Sequence, residues 1–214
     1  MRPEGRPMRE SILAAAVNLF AEYGYHAAPL RDIARLAGIQ AASIYHHYAN
    51  KQSLLVEIME THMQRLNNNL ERILRQYDDP MQRLQEAVTN HISLHTSYKA
   101  EFFIIDTEIR ALEGESRAYI LSLRDRYEQL MQELLQDGME RDVFRRSDVK
   151  VTSFAIITMC TEVATWFRPN GRLSVQQVIA IYLQIILQGL LEGDQTEQQP
   201  EAALKPRMME KNPE

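Results

Sequence analysis

Leu30-Arg31-Asp32-Ile33-Ala34-Arg35-Leu36-Ala37-Gly38-Ile39-Gln40-Ala41-Ala42-Ser43-Ile44-Tyr45-His46-His47-Tyr48 is the stretch whose reading decides the fold. Two short helices, about Leu30–Ala37 and Ala41–Tyr48, flank a glycine. Two helices crossing at a steep angle need a small residue where they touch, a glycine in the turn and apolar residues at fixed spacings. Ala34 supplies the small contact, Gly38 the turn conformation that a side chain resists, and Ile33 and Ile44 the shared core. The pattern is that of a helix-turn-helix. An ordinary helical hairpin satisfies the same hydrophobic spacing.

The flanks separate the two. Ser43, Tyr45, His46, His47, Tyr48 and Lys51 crowd the second short helix and its exit, and all can donate to phosphate oxygens. Lys51 and Gln52 open the next helix, where the dipole favours an anion. The whole chain carries a net charge of −5, unlike a nucleic-acid binder as a whole. Residues 1–52 nevertheless hold six basic and four acidic side chains, a net of +2. That asymmetry points to a nucleic-acid contact at the N-terminal end.

Outward from this segment the sequence reads as helix throughout, with no sustained period-two alternation to mark a strand. A first helix spans about Met8–Tyr23 and stops at Gly24. Asn50 caps a long helix over about Lys51–Tyr77, and helices follow at about Pro80–Thr96, Tyr98–Leu112, Glu115–Arg141 and Asp148–Phe167. Ser174 and Gln177 form a capping box for a last helix reaching Leu191. The expected fold is therefore all-α. Residues 1–50 form a three-helix head suited to DNA, 51–192 a helical bundle, and 193–214 a disordered tail. With 214 residues, 45% of them hydrophobic, the chain is long enough for a real core. One cysteine, Cys160, excludes an internal disulfide framework and a multi-cysteine zinc site. No run is long and apolar enough to span a bilayer, and no apolar segment follows the basic N-terminus as in a signal peptide. A soluble cytoplasmic protein with no membrane partner is expected.

The last helix, Val178–Leu191, is apolar nearly all round, and so is the one before it, with Val151, Phe154, Met159, Trp166 and Phe167. A surface helix needs only one apolar stripe. The second face of each is expected to meet its copy in a homodimer, which also gives two heads the symmetry of a palindrome.

Gly24-Tyr25, Leu30-Arg31-Asp32-Ile33-Ala34, Ala37-Gly38-Ile39, Ser43-Ile44-Tyr45-His46-His47-Tyr48 and Lys51-Gln52-Ser53-Leu54-Leu55 together resemble the N-terminal domain of the TetR family of bacterial repressors. The likeness covers roughly residues 9–59. It implies an all-helical homodimer that binds a palindromic double-stranded operator and is released by a small-molecule effector. By this match Gln40, Ala41, Ala42 and Ser43 face base edges, while Tyr45, His46, His47, Lys51 and Arg31 hold the backbone. Arg2 and Arg6 lie either on an arm that reaches a minor groove or, the reading the sequence favours, on a disordered tail without contact. Two positions depart from the pattern. Ala28 stands where the family often has a capping Thr, and Gln40 where it often has Ser or Thr. Gln caps poorly, but its amide can pair with adenine.

The resemblance makes residues 51–192 the ligand-binding and dimerisation domain, with a ligand pocket in the middle of the chain, between bundle helices. Phe103, Thr107, Arg110, Arg124, Tyr127, Met131, Met159, Glu162 and Trp166 are its expected lining, although each taken singly is better accounted for by core packing. Ser122–Tyr127 and Trp166–Ser174 resemble a narrower branch of the family that senses CoA thioesters of steroid-ring or fatty-acid breakdown. That likeness implies an acyl-CoA effector, with Arg110, Arg117 or Arg124 on phosphates and Trp166 and Tyr127 beside the acyl part.

Two other classes compete. A small-molecule-binding helical enzyme finds little support: His91 and His95 share a helix face, but Ile92 stands where the zinc-protease motif has its glutamate. Cys160 sits in an apolar run and reads as a buried thiol. No phosphate loop or dinucleotide fingerprint is present. The expectation is a protein without metal, cofactor or catalysis. A helical interaction module using the apolar last helix lacks the basic face of a membrane binder.

Overall fold

Gly38 adopts φ 76 and ψ 32, the left-handed conformation that stops a helix. The Ile39 N–H then reaches back to the Ala34 carbonyl at 3.0 Å, closing the turn between the two short helices. This geometry comes from a computed structural model of the chain, which describes residues 8–191. The expectations for Arg2 and Arg6 and for the tail over 193–214 lie outside the described residues.

Among the described residues the chain forms nine α-helices and no strand. They are α1 Met8–Tyr23, α2 Leu30–Ala37, α3 Ala41–Ile44, α4 Lys51–Gln76, α5 Pro80–Ser97, α6 Lys99–Glu108, α7 Gly114–Glu140, α8 Val149–Trp166 and α9 Val175–Leu190. Local chemistry sets several starts. Asn50 accepts from the Ser53 N–H at 2.9 Å in a capping box, and Asp79 accepts from Met81 and Gln82 ahead of Pro80. Asp148 caps α8, and Ser174 with Gln177 caps α9. These bonds satisfy N–H groups that a helix leaves open at its first turn.

Two helices end earlier than the sequence suggests. α3 stops at Ile44, and its expected second half is a turn in which His46 and His47 donate to Ser43 and Ile44. The helix expected over Tyr98–Leu112 ends at Glu108, and Ile109–Ala111 tighten into a single 3₁₀ turn.

Two apolar cores share α4. In the head, Ile12, Ala16, Phe20, Ile33, Ala34 and Ile44 pack with Leu54, Leu55, Ile58 and Met59 of α4. In the bundle, Met63, Leu66 and Leu70 of α4 pack with α5, α7, α8 and α9. The head core also takes in Ile104 and Ile105 of α6 and Ile120 of α7, so the head rests directly on the bundle. The outer faces of α8 and α9 remain apolar and uncovered: Val151 is 66% exposed and Ile185 53%, with Phe154, Met159, Trp166 and Ile181 beside them. No described helix is long and apolar enough to cross a membrane.

Candidate nucleic-acid interface and ligand cavity

Ile44 is fully buried and anchors α3, while Gln40, Ala41, Ala42, Tyr45, His46 and His47 are exposed and Ser43 is half-buried. Gln40 stands at the helix start without a capping bond from its side chain, which leaves the amide free to meet a partner. Ala41 and Ala42 carry so little bulk that the backbone here can approach a surface closely. Tyr48 is buried and serves the head core. Arg31 is exposed on α2 and lies 3.9 Å from Asp32, which Arg35 also meets at 3.2 Å. Exposed pairs of this kind are worth little, so both guanidinium groups remain available to an anion.

Lys51 is placed differently from the sequence expectation of a phosphate contact. Its ammonium donates to the Tyr25 carbonyl and to the His26 carbonyl at 3.4 Å, and lies 4.5 Å from the centre of the Tyr25 ring. Burial draws its pKa below the usual lysine value. The side chain braces the loop between α1 and α2. Arg9, which the sequence reading passed over, forms a bidentate pair with Glu57 at 2.9 and 3.1 Å. It tethers the start of α1 to α4.

One bond ties the head to α6, and two more tie the first half of α4, on which the head packs, to α7. The Tyr25 N–H donates to Glu108 Oε1 at 3.1 Å, Gln52 Nε2 to Ser116 Oγ at 3.2 Å, and the Tyr119 hydroxyl to Glu60 at 2.6 Å. Glu108 is the last residue of α6, so α6 reaches the head through both its end and its apolar contacts with α1.

The same α6 forms one wall of a cavity of about 80 Å³ between α4, α5, α6, α7 and α8. Small-molecule sites usually measure roughly 300–1,000 Å³, so the walls must part for a ligand to enter fully. Of the nine residues expected to line a pocket, Arg124 and Tyr127 line this cavity, whereas Met159 and Trp166 border separate surface grooves. α6 presents Phe102, Ile105 and Asp106 to the cavity, whereas Phe103 and Thr107 are exposed on its other face. α8 presents Ile157 and Thr161, whereas Met159, Glu162 and Trp166 lie on its exposed side, Trp166 stacked on Tyr182. Arg110 is exposed on the 3₁₀ turn and Met131 is buried in the bundle core. Several of these placements differ from expectation by one position, and one position turns a helical side chain by about 100°.

The polar wall of the cavity is a cluster the sequence reading did not assemble. His62 of α4 and His91 and His95 of α5 are all buried. His91 spans a chain, with Nδ1 2.8 Å from the Tyr127 hydroxyl and Nε2 2.9 Å from Thr161 Oγ1. His62 Nε2 meets His95 Nδ1 at 3.4 Å, and His62 Nδ1 is buried without a partner. Burial, with the nearby Arg65, lowers the His62 pKa to about 4; burial, with His62, lowers that of His91 to about 3. His95 falls well below the usual value for the same reason, with its two histidine neighbours adding to it. All three rings are neutral at physiological pH. Among the described residues no group of three His, Cys, Asp or Glu side chains is arranged to hold a metal. The ring nitrogens face each other and the two hydroxyls. Cys160 is buried close by, its thiol pushed up to about 12, and is inert as a nucleophile. His62 was legible in principle: it falls in register with Leu55, Met59 and Leu66, on the buried stripe of α4.

Residues 12–58 match the family described as "Bacterial regulatory proteins, tetR family", and residues 77–190 the "Tetracyclin repressor-like, C-terminal domain". The chain is similar to the HTH-type transcriptional repressor KstR2 of Rhodococcus jostii, with 32% identity over 185 residues, covering 85% of this chain and 90% of that protein. The solved ketosteroid transcriptional regulator KstR2 of Mycobacterium tuberculosis superposes with a TM-score of 0.81 at 29% identity, covering 89% of this chain and 98% of that one. AibR, solved in complex with isovaleryl coenzyme A and operator DNA, superposes with a TM-score of 0.77 at 28% identity, covering 84% and 97%. These relatives are transcriptional regulators rather than enzymes.

Proposed function

Because the chain belongs to the TetR family of bacterial regulatory proteins, we propose that it is a cytoplasmic repressor that binds a palindromic operator as a homodimer and releases it on binding an acyl-CoA. The observation that carries this reading is the head. Ile44 is buried while Gln40, at the start of the same short helix, and Ala41 and Ala42 on it are exposed, the Gln40 side chain making no capping bond. Gln40, Ala41, Ala42 and Ser43 read base edges, the amide of Gln40 suiting adenine and the two methyl groups suiting thymine. Tyr45, His46, His47 and Arg31 lie against phosphates. The uncovered apolar faces of α8 and α9 pack on those of a second copy, which sets two heads about a two-fold axis.

The acyl end of the effector enters the histidine-walled cavity, with Arg124 at its wall and exposed Arg110 and Arg117 available to the CoA phosphates. The solved complex of AibR with a CoA thioester and DNA supports this choice of ligand class. The cavity is too small for such a ligand without movement, and α6 is one of the walls joined to the head. Displacing α6 draws Glu108 from the Tyr25 N–H and shifts the loop that carries α2 and α3. The ligand and the operator then favour different positions of the head, and each weakens the other by the same factor. A gel shift with DNA upstream of the chain's own gene, with and without a panel of acyl-CoAs, tests the reading. Sequence-specific retardation reversed by one of the thioesters is the expected result. Absence of specific retardation anywhere in that region refutes it.

A further inference from the structure

α6 belongs to the cavity by its position and to the head by its packing. Its buried Ile104 and Ile105 lie in the head core with Ile12, Ala16 and Phe20 of α1, and no residue of α6 enters the bundle core. α4 and α7 run through both cores, whereas α5, α8 and α9 contribute to the bundle core alone. Phe102, the remaining buried residue of α6, faces the cavity, its ring edge-on to His95 with centroids 4.7 Å apart.

Hydrogen bonds divide the cavity walls in the same way. Asn69 of α4 donates to Asn90 of α5 at 2.9 Å, and Asn67 of α4 to the Leu123 carbonyl of α7 at 3.0 Å. His91 of α5 joins Tyr127 of α7 to Thr161 of α8. These four helices are thus cross-bonded around the cavity. Among the described residues α6 makes no side-chain bond to any of them except at its first residue, where Lys99 reaches the Thr165 and Phe167 carbonyls at 3.4 and 3.5 Å. Its last residue, Glu108, is bonded to the head, accepting from the Tyr25 N–H at 3.1 Å. Tyr98 alone joins α6 to α5, with φ −113 and ψ 47, outside the helical region. Moving any other wall breaks bonds or bundle packing. Turning α6 about Tyr98 breaks neither, and withdraws only Phe102, Ile105 and Asp106 from the cavity.

We propose that α6 is the door of the cavity and a part of the head, so that the motion which opens the cavity also displaces the head. This inference rests on the reading of the head as an operator binder and is independent of what enters the cavity. A duplex that holds the head in place holds Ile104 and Ile105, and with them the door, against the bundle. DNA and access to the cavity therefore oppose each other before any effector is bound, and each weakens the other by the same factor.

The test uses the full-length protein and no effector. Hydrogen exchange of the unmodified chain in low urea is followed helix by helix. Amides of α6 are expected to open together with those of α1, at a lower free energy than those of α5 and α8. Opening of α6 together with α5 and α8 overturns the inference. A second measurement times the reaction of a water-soluble disulfide with the chain carrying Ile157→Cys and Cys160→Ala, whose one thiol faces the cavity from α8. Saturation with the duplex retarded in the gel shift should slow this labelling at least about fivefold, the low end of typical couplings between sites. Adding Glu108→Ala should speed labelling without DNA and shrink the slowing by DNA. Adding Tyr119→Phe, which cuts a bond between α4 and α7, should change neither. Labelling indifferent to bound DNA, or speeded as much by Tyr119→Phe as by Glu108→Ala, overturns the inference and leaves the operator reading standing. If the chain retards no duplex, the operator reading fails, and the exchange pattern with the DNA-free labelling rates decides the door. If the labelled chain does not fold, the exchange pattern decides it alone.

Discussion

Truncating Ile185 to alanine tests the dimer and can be worked through from the structure. Ile185 lies on the outer face of α9 and is 53% exposed in the single chain, so about half its surface is still open to burial by a partner. Complete burial of such a side chain is worth roughly 1.5–3 kcal/mol. Removing the part that a second copy would cover costs about 1 kcal/mol per protomer. A two-fold interface presents the residue twice, giving about 2 kcal/mol in all, or roughly a 30-fold weaker dimer. The same truncation also costs the monomer, through the half of the side chain already buried there, so the loss of dimer affinity is read separately from the loss of monomer stability. Sedimentation equilibrium over a dilution series, beside urea unfolding of the same sample, separates the two effects. The reasoning is refuted if the wild type is monomeric at micromolar concentration, or if the variant dimerises with unchanged affinity.

Other perturbations probe the head and the cavity. Gly38→Ala places a Cβ at φ 76 and should cost about 1–2 kcal/mol of stability, read from the urea midpoint; an unchanged midpoint contradicts the turn geometry. Lys51→Ala should weaken binding to all DNA sequences while leaving the salt slope unchanged, because its ammonium is held on the Tyr25 and His26 carbonyls. A slope flatter by about one unit would place the ammonium on a phosphate instead. Gln40→Ala should relax base preference at one position of each half-site with little change in salt dependence, as measured on a panel of single-base operator variants. The three buried histidines predict a pH effect. Their folded pKa values lie below the unfolded value of about 6.5, at about 4 for His62 and about 3 for His91. The unfolded chain therefore binds more protons below about pH 6.5, and stability, fully present above it, falls as the pH drops. The loss is up to about 1.4 kcal/mol per pH unit for each histidine. Urea midpoints between about pH 7.5 and pH 5 should fall, and His62→Leu should make the fall shallower; a flat profile would mean the rings are not buried as described.

Much of the fold was legible because its boundaries rest on local chemistry. Gly38, Asn50 with Ser53, Asp79 before Pro80, and Ser174 with Gln177 each act within one helical turn, and each marks a helix end where the structure has one. The end of α3 was not legible, because residues 45–47 use tighter backbone bonds that leave no trace in the apolar pattern. The direction in which a helix faces was legible only where it carries a polar stripe. α6 holds Phe102, Phe103, Ile104 and Ile105 in succession, and only its packing against α1 decides that Phe103 turns outward. α8 is apolar on two sides, so its cavity face could not be told from its outer face. The histidine cluster lay hidden for another reason. His62 and His95 are 33 residues apart, and only the packing of α4 on α5 brings their rings together.

The most direct test of the central claim is selection of bound sequences from a random duplex library by the full-length protein. The account predicts enrichment of one inverted repeat whose half-sites are separated by whole turns of the double helix, with Gln40→Ala altering the enriched bases. Recovery of no common sequence, or of a single half-site without its symmetric mate, would contradict it.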